Sequence, residues 1–195
     1  MEILIDLLES ASYKKNFIIL VIVTLYIFKI LMKTALIILA FLFVAFIAAF
    51  FILGIMSKSG EAPGLVSGKL SNCPNKPNCV CSEYKDDANH YIDPMVIPQD
   101  ITLDSLPILK NIIADMGGAI QQESDNYLAA IFTSSIFGFV DDVEIRIDRA
   151  QNAIHIRSGS RVGHGDAGVN KKRTDLLKSL YKKKVSEVNQ SPKMH

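Results

Sequence analysis

The sequence has almost no surplus charge of either sign: 21 Lys and Arg stand against 20 Asp and Glu, a formal net charge of +1. So small an excess gives no global basic field of the kind that holds proteins on nucleic-acid phosphates, which argues against nucleic acid as a partner. Cysteine is scarce, at 3. That is too few for a disulfide-dense scaffold, and the odd number leaves at least one thiol outside any intramolecular pair. Glycine (11) and proline (7) are modest beside 49% hydrophobic and 21% charged residues, which excludes a disordered or low-complexity chain and leaves a packed core as the expectation. No internal repeat is present, so solenoids and propellers are excluded. No nucleophile elbow, phosphate loop or paired Cys-x-x-Cys metal motif occurs, and no metal or cofactor is implied. At 195 residues there is room for one ordinary domain and an appendage.

What is present is unevenly spread. From Thr34 to Met56 run 23 residues without a charge. As a helix this stretch is ~35 Å long, enough to cross a hydrocarbon core of ~30 Å with some tilt, and it is read as a transmembrane anchor over 34–56. A second apolar stretch, Phe17 to Met32, is broken by Lys29 and separated from the first by Lys33 alone. No turn fits between them, and one helix over both would be ~60 Å, so part must lie outside the membrane. Residues 1–33 are therefore either a cytoplasmic or interfacial extension, with Ile3, Leu4, Leu7 and Leu8 as an amphipathic face, or precede a true start at Met32. Lys14, Lys15, Lys29 and Lys33 before the span outnumber Lys58 and Lys69 after it, which places the amino end in the cytoplasm and the remainder outside, in the periplasm or exterior. Ser57 and Ser59 offer small residues at a cleavage spacing, but the apolar core exceeds the ~7–15 residues of a removable signal, so an uncleaved anchor is expected.

Residues 57–72 have the composition of a tether, 73–185 of a folded domain and 186–195 of a tail. Within the domain, Leu109, Ile112, Ile113 and Met116 recur at helical spacing until Gly117-Gly118. Strand character follows around Ile120, then over 127–133, 140–148 and 153–158. Val143, Ile145 and Ile147 alternate with Asp142, Glu144, Arg146 and Asp148, the pattern of a sheet with one wet face. Val169, Leu176, Leu177 and Leu180 give a closing amphipathic helix. The order predicts an α+β fold, an antiparallel meander sheet packed with helices and preceded by one transmembrane helix. Pairing Asp148 with Ala153 sets Ile147 against Ile154 and Glu144 against Arg157, whereas a two-residue slip would oppose Arg146 and Arg157. The first register is expected.

Four ordered motifs, Cys73-Pro-Asn-Lys-Pro-Asn-Cys-Val, Gly138-Phe-Val-Asp-Asp-Val-Glu, Ile156-Arg-Ser-Gly-Ser-Arg-Val-Gly and Asp166-Ala-Gly-Val-Asn with Arg173, resemble the family catalogued as domain of unknown function 1499. The likeness spans about Leu65 to Tyr181. It supports the exported domain read above, implies a member of a family found in bacteria and plant plastids, here read as a membrane-anchored bacterial one, and brings no assigned activity. Cys81 departs from the family, which more usually has serine there.

Three chemistries remain open for the cysteines. Export favours a Cys73–Cys79 disulfide. A metal site from Cys73, Cys79, Cys81 and His90 fits by ligand type but not by spacing, and a redox role for Cys79-Val-Cys81 needs a lowered thiol pKa. The segment 157–173 is the candidate functional surface. Arg157, Ser158, Arg161, His164, Asn170 and Arg173, with freed glycine amides and a helix start, suit a small anionic ligand, a carboxylate or phosphate. Against this, Arg157 and Arg161 can pair with Asp141, Asp142 and Glu144 across the sheet while Asp166 or Asn170 caps the helix. A hydrolase-like site of His164 with Asp141 or Asp142 is the catalytic alternative. The basic face of Lys171, Lys172, Arg173, Lys178 and Lys182 to Lys184 is read as a solvated helix side or a headgroup contact. The whole points to a membrane-anchored envelope protein acting as a non-catalytic binding or structural module.

Overall fold

The computed structural model describes residues 2–97 and 104–190, and divides into two compact units, 1–49 and 50–195. Helix α1 runs unbroken from Glu2 to Ser57. Its stretch Lys14–Ser57 is long and apolar enough to cross a membrane, and its most apolar 18 residues have a mean hydropathy of 3.3. Lys29 and Lys33 do not interrupt it, because lysine is a good helix former and its charge constrains solvation rather than backbone geometry. The proposed amphipathic face at Ile3, Leu4, Leu7 and Leu8 lies outside the described side chains.

In the second unit the chain forms β1 (Leu65–Val66), β2 (Lys69–Leu70), β3 (Cys79–Cys81), β4 (Met95–Val96), α2 (Ser105–Asp115), β5 (Ala119–Ser124), β6 (Tyr127–Thr133), β7 (Val140–Asp148), β8 (Ala153–Ser160) and α3 (Val169–Gln190). The fold is α+β, with a six-stranded antiparallel sheet whose main path is β3-β8-β7-β6-β5, β4 sharing the outer edge of β8. The meander β5 to β8 is as expected, and so is its register: Asp148 faces Ala153, Ile147 faces Ile154 and Glu144 faces Arg157. Asp104 caps α2 by accepting from the Leu106 amide at 3.2 Å.

One face of the sheet carries the apolar core. Leu128, Ala130 and Phe132 of β6, Val143, Ile145 and Ile147 of β7, and Ile154 and Ile156 of β8 meet Leu109, Ile112 and Ile113 of α2 and Leu177, Tyr181 and Val185 of α3. The buried stripe of α3 is therefore set by Leu177, Tyr181 and Val185; Leu176 and Val169, expected in it, are exposed. Tyr181 is amphipathic enough to hide its hydroxyl on Ser105 at 2.7 Å, and periodicity read from aliphatic residues alone misses it.

The opposite face corrects the sequence reading. It is not wet: Glu144 is 0% exposed, Asp142 3% and Arg157 6%. The stretch expected to be a tether supplies part of the cover. A tight hairpin, β1–β2, turns through Ser67 and Gly68, both with positive φ, and delivers Leu70 into a second cluster with Cys81, Tyr127 and Ala129. Two-residue strands set among Gly, Ser and Pro have no periodicity long enough to register as structure. At the far end, α3 continues to Gln190 where a tail was expected from 186; residues 191–195 lie outside the described residues.

Candidate functional site

The residues grouped in the sequence as one anion-binding surface fall on opposite faces of the sheet, because side chains alternate along β8. Arg157 points to the covered face and Ser158 to the helical one. Their partners follow the same alternation.

On the covered face, Glu144 is enclosed by three donors: Arg157 Nη1 at 2.9 Å, the Tyr127 hydroxyl at 2.8 Å and the Gly64 amide at 2.8 Å. Burial, reinforced by the neighbouring Glu144 carboxylate, pushes the Tyr127 hydroxyl far above its usual pKa, so it stays a donor. Arg161 grips Asp142 with two parallel bonds of 2.9 and 2.7 Å and donates a third, at 3.3 Å, to the Ser57 carbonyl. Arg146 does the same with Glu83, at 2.6 and 3.1 Å, and reaches Asp148 at 3.1 Å. The hydrogen bond to Glu83 is the main reason the Arg146 pKa is raised.

His155 completes this row opposite Arg146. Its Nδ1 lies 3.3 Å from both the hydroxyl and the carbonyl oxygen of Ser82 and 3.7 Å from Glu83, and its buried Nε2 has no partner among the described residues. Burial lowers its pKa, so the neutral ring is favoured. A cleft of about 560 Å³ opens here, lined among others by Lys69, Glu83, Tyr84, Lys85, Arg146 and His155. A second, of about 550 Å³, lies beside Arg161 between Lys58–Ala62 and the β5–β6 pair.

On the helical face, Arg173 donates to Asp141 at 2.8 Å and to Asn170 Oδ1 at 2.6 Å, and sits 4.6 Å from the centre of the Phe132 ring. Ser158 donates to the same Asn170 oxygen at 2.6 Å, while Asn170 Nδ2 donates to the Asn78 carbonyl and the Ser160 hydroxyl, both at 3.0 Å. Asn170 is thus a buried bridge from α3 to β8 and to Asn78, the residue before β3. Asp166 caps α3, accepting from the Gly168 amide at 2.9 Å and the Asn170 amide at 2.8 Å. The helix start offered for an external anion is occupied by the protein's own carboxylate.

His164 is exposed and has no hydrogen-bond or ion-pair partner among the described residues; Asp141 is held by Arg173 and Asp142 by Arg161. The hydrolase constellation is not assembled. Cys73 and Cys79 form a disulfide, with Cα atoms 5.6 Å apart, which withdraws two of the four residues weighed for a metal. The third, Cys81, is buried, and burial pushes its thiol up to about 11, the reverse of what redox chemistry needs. The fourth, His90, bonds Asp87 at 2.7 Å and the Lys76 carbonyl at 3.0 Å.

Sequence reasoning missed Glu83, Tyr127, Ser82, Asn78 and His155. One signal for Glu83 was available: the correct register sets Arg146 opposite His155, two basic groups on one face, which calls for a carboxylate from outside the meander.

No curated protein and no solved structure matches the chain. Residues 69–180, more than half of it and spanning β2 to most of α3, match the model of a family described as "Protein of unknown function (DUF1499)". The chain belongs to the DUF1499 family.

Proposed function

We propose that the chain is a single-span membrane protein whose domain faces outward, to the periplasm or exterior, and acts as a binding or structural module without catalysis. One observation carries this: four arginines, Arg146, Arg157, Arg161 and Arg173, are each held by a buried or nearly buried carboxylate of the same domain. A catalytic group must keep its charge for its substrate, and the charge of each of these arginines is matched by a carboxylate. The lysine bias before the apolar run and the Cys73–Cys79 disulfide both suit an exported domain. A small ligand would enter the cleft beside His155, whose volume is that of ordinary small-molecule sites. If anionic, it would be met by the exposed Lys69 and Lys85 rather than by the neutralised arginines.

The membrane-inserted protein is expected to hydrolyse p-nitrophenyl acetate and p-nitrophenyl phosphate no faster than its His164→Ala variant. A rate that depends on His164 would replace the module with the hydrolase. A reporter fused after Met56 that works only when exported should be active, and the reverse pattern would overturn the orientation.

A further inference from the structure

The loop joining β6 to β7, Ser134-Ser-Ile-Phe-Gly-Phe139, is unusually apolar for an exposed turn. Its shape is fixed: the Ser134 amide donates to the Phe139 carbonyl at 2.8 Å, the Phe139 amide to the Ser134 hydroxyl at 2.9 Å, and Gly138 takes φ +71°. Ile136 is 72% exposed at its tip.

The last turns of α1, from Phe50, belong to the same compact unit as this loop and pack against it. The Phe137 ring lies 5.2 Å from those of Phe50 and Phe51, and Phe139 lies 6.3 Å from Phe50. At Gly54 the two backbones meet: a Cβ there would come 1.8 Å from the Phe137 carbonyl oxygen, so no other residue fits. Ser57 locks the end, its hydroxyl accepting from the Val140 amide at 3.0 Å and donating to the Gly54 carbonyl at 2.6 Å.

Phe50, Phe51 and Gly54 lie inside the uncharged run that ends at Met56, and Phe50 is ~10 Å along the helix axis from Ser57. The medium that surrounds them must also reach Phe137 and Ile136. We propose that the Ser134–Phe139 hairpin is seated in the outer leaflet of the bilayer, so that a loop of the folded domain, as well as its helix, contacts lipid. This rests on the membrane-spanning role of α1 proposed above. Lipid is favoured over a protein partner because the apolar surface of the loop continues that of the helix: Ile55 and Met56 are also exposed. The Lys58 side chain runs alongside Gly138, where its amine suits the headgroup boundary.

The sequence contains no tryptophan, so a single introduced one is an unambiguous depth probe. Full-length Ile136→Trp, Phe43→Trp and Val96→Trp would be reconstituted into phosphatidylcholine–phosphatidylglycerol vesicles carrying brominated acyl chains. Val96 is exposed beside Ala153, at the other end of the meander from the loop. Ile136→Trp should show blue-shifted emission quenched at least twofold more than Val96→Trp, with Phe43→Trp quenched most. Quenching of Phe43→Trp without Ile136→Trp overturns the inference while leaving the span intact; quenching of neither removes the span and the inference with it. Quenching of Val96→Trp as strong as that of Ile136→Trp overturns seating through the loop in favour of a domain lying flat on the bilayer, and a concentration-dependent blue shift of Ile136→Trp without quenching overturns lipid contact in favour of a second copy. An unchanged denaturation midpoint in each variant certifies the fold.

Discussion

The two faces of the β-sheet solve the same problem of covering a strand surface by opposite means. The helical face buries aliphatic side chains against α2 and α3, where each contact is non-directional and a neighbour can shift to fill a gap. The other face buries Glu144, Asp142, Arg146, Arg157 and His155 under the segment between α1 and β4. There each group depends on a particular partner, because an ion left alone in a low-dielectric site is costly. Packing on one face tolerates change by degrees; on the other, loss of one partner strands the next.

Adjacent residues of β8 sharpen the contrast most. Arg157→Met should cost about 3–5 kcal/mol, since it leaves Glu144 buried and uncompensated, whereas Ile156→Val, one residue away on the helical face, should cost about 0.5–1.5 kcal/mol. Denaturant unfolding of both checks this, and equal values would erase the distinction. Pairing Arg157→Met with Glu144→Gln should recover part of the loss, which a double-mutant cycle reads directly. The range for an exposed cross-strand pair, about 0.2–1 kcal/mol, does not apply to a 6% exposed side chain.

Reducing the Cys73–Cys79 bond, or replacing both by serine, should cost about 2 kcal/mol by the chain-entropy model. Thiol labelling of the unreduced native protein should be negligible, because the one free thiol, Cys81, is buried; it should become labelled only on unfolding. Prompt native labelling would show that the cover opens readily.

Acid should weaken the covered face first. The folded pKa of His155 is held below its ordinary value of 6.5 by burial, so as pH falls through 6.5 the unfolded chain gains a proton that the folded chain refuses. Stability therefore falls from that point down to the folded pKa, by less than one proton's worth of slope. The melting temperature between pH 7 and 5 should drop in the parent and flatten in His155→Gln; an unchanged slope would assign the dependence elsewhere. The smallest effect is expected for Lys171→Ala, whose pair with Asp175 at 2.9 Å is exposed on both sides and is worth about 0.3–0.5 kcal/mol. The same chemistry thus ranks by burial.

Most of the sheet was legible because β6 to β8 are long enough to show alternation, and because charge opposition chose between registers for Glu144 and Arg157. The same alternation misled about solvent: polar residues every second position mark a face, not its exposure. What covers that face, β1 to β3 with Leu70, Glu83 and Tyr84, comes from two- and three-residue strands among glycines and prolines, where no periodicity can develop. The candidate site failed for a related reason. Arg157, Ser158 and Arg161 are neighbours in sequence, but strand geometry sends Arg157 to Glu144 and Ser158 to Asn170 on opposite sides.

The pairing of β3 with β8, Cys79 against Gly159, has a consequence for how the domain comes into being. A chain emerging amino end first presents its cover long before the last strand to which that cover attaches. Such a distant closure is entropically costly and slow. Until β8 arrives, Cys79–Cys81 has no strand to pair with, and Glu144 lacks the cation it needs before it can leave water. The charged face is thus the last part to dry. A chain interrupted before Ala153 would be an open sheet with a loose flap rather than a smaller domain, and the cell would meet it as unfolded protein.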